Sequence, residues 1–241
     1  MKERDQPIPK GDPMKWNMYQ LEDFGRYRLS PHFFMRDMLY SEIASVHGMR
    51  NVPEYPERAV EAGEKLCCTL LGPLHCTFGH VSIRSAFRSR AVNECGAFPK
   101  YRNVAGTAYN FARHVWDWPD KHGIGATVSI VVPWFVGYLE ERYPDPEKRP
   151  ATAWKAMAWW IHDHLPFSEM QFYTDPPGFY YAAFNIQWHE NEDRKLIEHR
   201  GTRETIPKWD RLEHCPGCHA SEYPGFPKLN CPTERYPDPP G

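Results

Sequence analysis

Twelve histidines and seven cysteines are spread over 241 residues, and two stretches hold them at spacings that chemistry could use. The first reads His114-Val-Trp-Asp117-Trp-Pro-Asp120-Lys-His122-Gly-Ile-Gly125-Ala-Thr-Val-Ser129. A loop histidine, a glycine three residues on, then a β-branched run would let the loop deliver one metal ligand and the strand the next. A zinc centre needs three or four N, S or carboxylate ligands that converge in space. The second stretch is His214-Cys215-Pro216-Gly217-Cys218-His219, with Cys231 beyond it. Cys215, Cys218, His219 and Cys231 fit a structural zinc knuckle. The same residues fit a disulfide, Cys215 or Cys218 with Cys231, so zinc and disulfide both stand. Cys-x-x-Cys-His also matches covalent haem attachment, but no export signal or axial methionine accompanies it. No other cofactor is expected.

The elements that would position these residues follow from periodicity. Ser30-Pro31 reads as a helix start, Ser as N-cap and Pro at the first helical position. Met35, Leu39, Ile43 and Val46 then recur at helical spacing, with Gly48 as the stop. A second helix is predicted over about 57–74, with Val60, Cys67, Leu71 and Leu74 on one face. Val81 and Ile83 alternate in a short strand, and residues 94–121 read as a long loop. Val128 to Val132 is a β-branched strand closed by Pro133. A helix is predicted from about Ala151 to His164, with Trp154, Met157, Ala158, Ile161 and Leu165 inward and Pro166 ending it. Two further strands, Glu169 to Tyr173 and Phe179 to Trp188, flank the turn Asp175-Pro176-Pro177-Gly178. Helices first and short strands after them make an α+β domain, a small antiparallel sheet with packed helices.

Five segments, in order, resemble the zinc D-Ala-D-Ala carboxypeptidases, peptidoglycan peptidases that share the Hedgehog/DD-peptidase fold. Ser85-Ala86-Phe87-Arg88-Ser89-Arg90-Ala91-Val92-Asn93 is similar to that family's Ser-Gly-Tyr-Arg-Ser-x-x-x-Asn. Leu29-Ser30-Pro31-His32-Phe33 resembles its opening segment, and Asn51-Val52-Pro53 its Asn-x-Pro turn. Asp120 to Ser129 aligns with Ser-x-His-x-x-Gly-x-Ala-x-Asp. Leu165-Pro166-Phe167 precedes the last ligand strand, where Phe184-Asn185-Ile186-Gln187-Trp188 aligns with Trp-x-His-x-Ser. The resemblance covers residues 29–198. It implies a DD-peptidase-like domain there, while the polar, proline-bearing residues 1–28 read as an extended N-terminal arm and residues 199–241 as a proline-rich C-terminal arm with the Cys/His cluster.

The resemblance implies a His, Asp, His zinc site, and this chain departs from it. His122 keeps the first ligand, Ser129 stands at the aspartate position and Asn185 at the second histidine. A hydroxyl and an amide are poor zinc ligands. Without an open zinc no bound water is activated. His122, Ser129 and Asn185 are therefore expected to share one degenerate cleft with Arg88 at its edge. In the family that arginine orients substrate carboxylate or transition-state charge. A register shift that puts His189 in place of Asn185 would restore a ligand; otherwise His114 and His189 read as loop or surface residues.

The expectation is an inactive DD-peptidase-fold protein that serves as a structural or binding part of a larger assembly, such as a bacteriophage tail, neck or capsid-associated protein. The alternative is an active zinc carboxypeptidase or endolysin; a small-molecule binder reusing the cleft is a third reading. Composition excludes other classes. Lys plus Arg is 29 against 31 Asp plus Glu, net −2, which gives no general grip on nucleic acid. No apolar run is long enough to span a membrane, and residues 1–16 show no signal-peptide core. A virion or cytoplasmic location follows. The 24 prolines and 15% aromatics suggest extended arms rather than wholesale disorder. Such arms are expected to contact other protein chains, with peptidoglycan as a further partner.

Overall fold

A computed structural model describes residues 14–97, 111–173, 182–191, 196–200, 204–205 and 217–230. The fold is α+β. The N-terminal half is helical. Helix α1 (Met18–Arg26) opens on a capping box in which Asn17 and Gln20 exchange side-chain and backbone bonds. The hairpin β1 (Arg28–Ser30) and β2 (Phe33–Phe34) follows it. Ser30 therefore ends a strand and caps no helix. The predicted first helix is split into α2 (Met35–Met38) and α3 (Glu42–His47), because Ser41 breaks in as a new N-cap. Gly48 closes α3 at φ 62°, a conformation glycine adopts without penalty.

The long helix runs further than its periodicity suggested: α4 (Pro56–Leu66), a π-helical stretch (Cys67–Leu71) and α5 (Gly72–Phe78) follow without a break. Then come β3 (Ser82–Ser85), α6 (Arg90–Gly96), β4 (Gly125–Val131), α7 (Pro133–Arg142), α8 (Lys155–His164), β5 (Glu169–Tyr173), β6 (Phe184–His189), β7 (Leu196–Arg200) and β8 (Glu204–Thr205). The predicted turn at 175–178 lies outside the described residues. Strands β3 to β8 form one sheet in the order β3-β4-β6-β5-β7-β8, antiparallel except for the parallel pair β5–β7.

Alternation along the central strands divides the sheet into two faces. Ala126, Val128 and Ile130 of β4 lie opposite Trp188, Ile186 and Phe184 of β6, and Met170 and Phe172 of β5 extend the row. This apolar face joins the main core, against which α4 packs. The residues between them, Thr127, Ser129, Asn185, Gln187, Glu169 and Gln171, line the opposite, polar face.

Neither terminal region behaves as a free extended arm where it is described. Trp16 donates its indole N–H to the Pro53 carbonyl and meets Phe24 at a tilt, and α1 packs on α2. Residues 217–230 lie on the domain itself. Tyr223 is buried in the core, and Phe226 meets Phe78, Trp134, Phe135 and Tyr138 edge-on. Trp160 donates to the Pro227 carbonyl, and Asn230 bonds Cys76 and Thr77. Prolines that block strand pairing leave carbonyls free for such side-chain donors. Strand β7 crosses the expected boundary at 198/199, and β8 lies within the supposed C-terminal arm. Among the described residues no helix is long and apolar enough to cross a membrane.

Candidate functional site on the polar sheet face

One row of residues crosses four strands of the polar face. Ser85 of β3 is the register partner of Ser129 of β4, Ser129 of Asn185 of β6, and Asn185 of Gln171 of β5. Ser129 donates its hydroxyl to the Asn185 carbonyl oxygen. Tyr173 donates to the same oxygen at 2.8 Å. The row is neutral and hydrogen-bonded.

Arg88 approaches this row from its β3 end and donates to the Ser85 hydroxyl at 3.1 Å. The arginine is 8% exposed, and its Nε–H has no acceptor among the described residues. Among the described residues no carboxylate forms an ion pair with it. Burial pulls its guanidinium below the ordinary value, with Tyr173 and Glu42 acting in the opposite direction. A buried cation without a counter-charge is costly to fold around.

Two of the quoted motifs hold Arg88 in place by meeting in space. Asn51, from Asn-Val-Pro, donates to the carbonyls of Leu39 and Phe87 and accepts from the Ser89 N–H. Ser89 then caps α6 through Val92.

Strand β3 pairs only with the second half of β4. Residues 111–115 occupy the edge of the first half: the Arg113 carbonyl accepts from Thr127 N–H, and the His114 carbonyl from Arg88 N–H. This close passage needs Gly125, where a Cβ would collide with the Ala112 carbonyl and the His189 ring. Gln187 reaches across to the Ala112 carbonyl, and Arg113 grips Glu169 with both guanidinium nitrogens at 2.9 and 2.6 Å.

His114 is thus a buried neighbour of Arg88 rather than a surface residue. Its Nδ1 lies 2.7 Å from the Ala86 carbonyl, which requires the Nδ1–H tautomer. Burial first, then the charges of Arg88 and Arg113, hold it neutral with a pKa lowered to about 3. Sequence periodicity could not find it, because it sits on an irregular edge segment.

The structure brings Ser129, Asn185 and Arg88 into one neighbourhood and leaves His122 out of it. His122 is exposed, and its carbonyl accepts from Asn191, beyond the Gly125–His189 pair. That pair is four residues along both strands from Ser129–Asn185, roughly 13 Å at about 3.3 Å per residue. His122 sits within a turn in which Asp120 and Gly123 pair and Gly123 takes φ 136°. That turn directs it to the end of the sheet rather than over the face. His189 shares the face of Asn185 but faces Asp120, with Nε2 at 3.4 Å, while its Nδ1 accepts from Asn191 N–H. It does not replace Asn185.

At the tail, Cys218 is in a disulfide whose partner lies outside the described residues, as do Cys215 and Cys231. His219 is turned to Asp163 of α8 at 2.7 Å.

No family model, curated protein or solved structure matches this chain.

Proposed function

We propose that the chain is a catalytically inactive DD-peptidase-like protein that binds a carboxylate-bearing ligand on the polar sheet face. The observation that carries this reading is Arg88: a buried guanidinium with an unused N–H donor, beside a neutral row of hydrogen-bonding groups. A planar carboxylate matches its fork. Ser129, Asn185 and Tyr173 offer uncharged contacts for the rest of such a ligand. Ser129 and Asn185 are weak metal ligands, and the row holds no carboxylate or imidazole to activate a water, so the reading is binding without hydrolysis.

The ligand class follows from the resemblance: a peptide ending in D-Ala-D-Ala. Calorimetry with an acyl-D-Ala-D-Ala peptide and with its C-terminal amide tests this. Binding of the acid, weak or no binding of the amide, and no release of D-alanine support it. Equal binding of acid and amide would remove Arg88 from the reading, and turnover would replace it with the zinc peptidase.

The assembly half of the expectation, a virion component held by its arms, keeps a different support. Met18 and Tyr40 are 82% and 60% exposed beside a 690 Å³ groove between α1 and α3. Exposed apolar groups around a groove favour a protein partner. The native mass of the purified chain distinguishes a self-assembling component from a monomeric binder.

A further inference from the structure

We propose that His162, Asp163 and His219 form a divalent-cation site of the zinc class, which fastens residues 217–230 to α8. The site is separate from the polar sheet face and uses none of its residues. Helix α8 buries Met157, Ala158 and Ile161 in the core, yet His162 and Asp163 at its C-terminal end are also fully buried. A polar pair is stable there only when its atoms are engaged.

Three ligand atoms converge. The Asp163 Oδ1 lies 3.3 Å from His162 Nδ1 and 2.7 Å from His219 Nδ1. All three lie within 4.8 Å of one another, and no other group of three His, Cys, Asp or Glu residues among the described residues does so. A tetrahedral zinc with bonds of about 2.0–2.1 Å separates its ligand atoms by roughly 3.3 Å. The Asp163–His162 contact already has that spacing, and the Asp163–His219 contact reaches it by opening about 0.6 Å.

The surroundings have the form expected of supporting groups around a metal ligand. The second oxygen of Asp163 accepts from Tyr223 O–H at 2.7 Å and from His219 N–H at 3.0 Å, which leaves Oδ1 to the centre. The His219 ring stacks on Trp159 with centroids 3.9 Å apart, and Trp159 meets His162 edge-on. Both imidazoles are thus oriented before any ion arrives. The His219 side chain is 20% exposed against 0% for Asp163, so the open position faces solvent through His219. A water there would complete four-coordination.

Without a cation, two N–H groups must share one carboxylate oxygen. With a cation, each Nδ1 presents a lone pair instead, and its proton resides on Nε2. The ligand set is two imidazoles and one carboxylate, which suits Zn²⁺ or Co²⁺ and not Ca²⁺ or Mg²⁺.

The test uses the full-length protein stripped with chelator and titrated with Zn²⁺ and Co²⁺. One equivalent of Co²⁺ with a visible d–d band, and a zinc-dependent rise in melting temperature, are expected. His219→Ala should keep the fold by circular dichroism and lose uptake. Tyr223→Phe should weaken zinc affinity by about 10–100-fold, the usual cost of an outer-shell partner. A Cys215→Ser, Cys218→Ser, Cys231→Ser variant should still bind one equivalent. Absence of uptake by folded wild type, uptake retained in His219→Ala, or uptake abolished in a folded cysteine variant each overturns the proposal.

Discussion

Ser129 and Asn185 stand opposite each other on β4 and β6, and the serine hydroxyl is hydrogen-bonded to the asparagine carbonyl oxygen. The resemblance places zinc ligands at these two positions, where the structure has a closed neutral pair. Reinstating the ligands tests whether the pair alone blocks metal binding. Ser129→Asp with Asn185→His, made in a His219→Ala background, should still bind no zinc and release no D-alanine. The reason is His122, which lies past the Gly125–His189 pair at the far end of the strands. Stoichiometric zinc in that variant, measured by atomic absorption, would mean that residues 120–123 can fold back over the face.

Arg88 should carry opposite effects on binding and on stability. Among the described residues its buried guanidinium has no carboxylate in an ion pair, so Arg88→Met removes a charge that burial disfavours and keeps the volume. The variant should melt no lower than wild type, with a gain of about 1 kcal/mol or more, since buried ionic groups often cost more than well-packed apolar ones. Binding of the D-Ala-D-Ala acid should fall at least tenfold. A large loss of stability in Arg88→Met, read from denaturant midpoints, would make the arginine a support of the fold instead.

Elements with one apolar face were legible in the sequence, and contacts made by irregular backbone were not. The inward set Trp154, Met157, Ala158, Ile161 and Leu165 is buried as its spacing predicts, because a helix repeats every 3.6 residues whatever surrounds it. The Ser129–Asn185 neighbourhood was also legible, since strand alternation and motif order both survive in the sequence. His114 was not, because residues 111–115 are positioned by bonds to Arg88 and Thr127 that have no periodic signature. The His122 position failed for a related reason: the Asp120–Gly123 turn sets its direction, and strand spacing says nothing about turns. Proline density misled at the tail. It excluded regular pairing correctly but says nothing of a segment held by side-chain donors such as Trp160 and Tyr138.

Two buried groups should give the protein opposing pH dependences. Asp117 accepts from the N–H groups of Glu54 and Tyr55 at the start of α4. Burial outweighs those bonds and raises its pKa from 3.8 to about 6. The folded state therefore favours the protonated acid, and this contribution is full below pH 3.8 and lost as pH rises through about 6. His114 is the reverse. Its pKa falls from 6.5 to about 3, so the folded state favours the neutral ring, and stability is full above 6.5 and lost as pH falls towards 3. Between these limits the two slopes offset. Asp117→Asn should make stability fall more steeply on acidification, and His114→Asn should make it fall from about pH 4 to 6. Urea midpoints across that range check both, and parallel profiles for all three proteins would contradict the assignment.

Residues 217–230 should be part of the folding unit and not a detachable arm. Tyr223 and Phe226 fill space between α7, α8 and α5, and Phe226 alone is within ring contact of Phe78, Trp134, Phe135 and Tyr138. Deleting the segment would bare those rings and strip the buried Asp163 carboxylate of the Tyr223 and His219 donors. Removing partners from a buried charge costs several kcal/mol, and an emptied aromatic site adds a cavity term. Phe226→Ala should lower stability by about 2–4 kcal/mol, shifted below the core-aromatic range because the ring is only partly buried. Tyr223→Phe keeps the ring and removes one bond to the carboxylate, for about 1–3 kcal/mol. A chain ending at residue 216 should be insoluble or bind a hydrophobic dye with loss of its near-ultraviolet circular dichroism. A soluble truncated chain with the wild-type near-ultraviolet spectrum would return residues 217–230 to the role of an arm, free to lie on another protein.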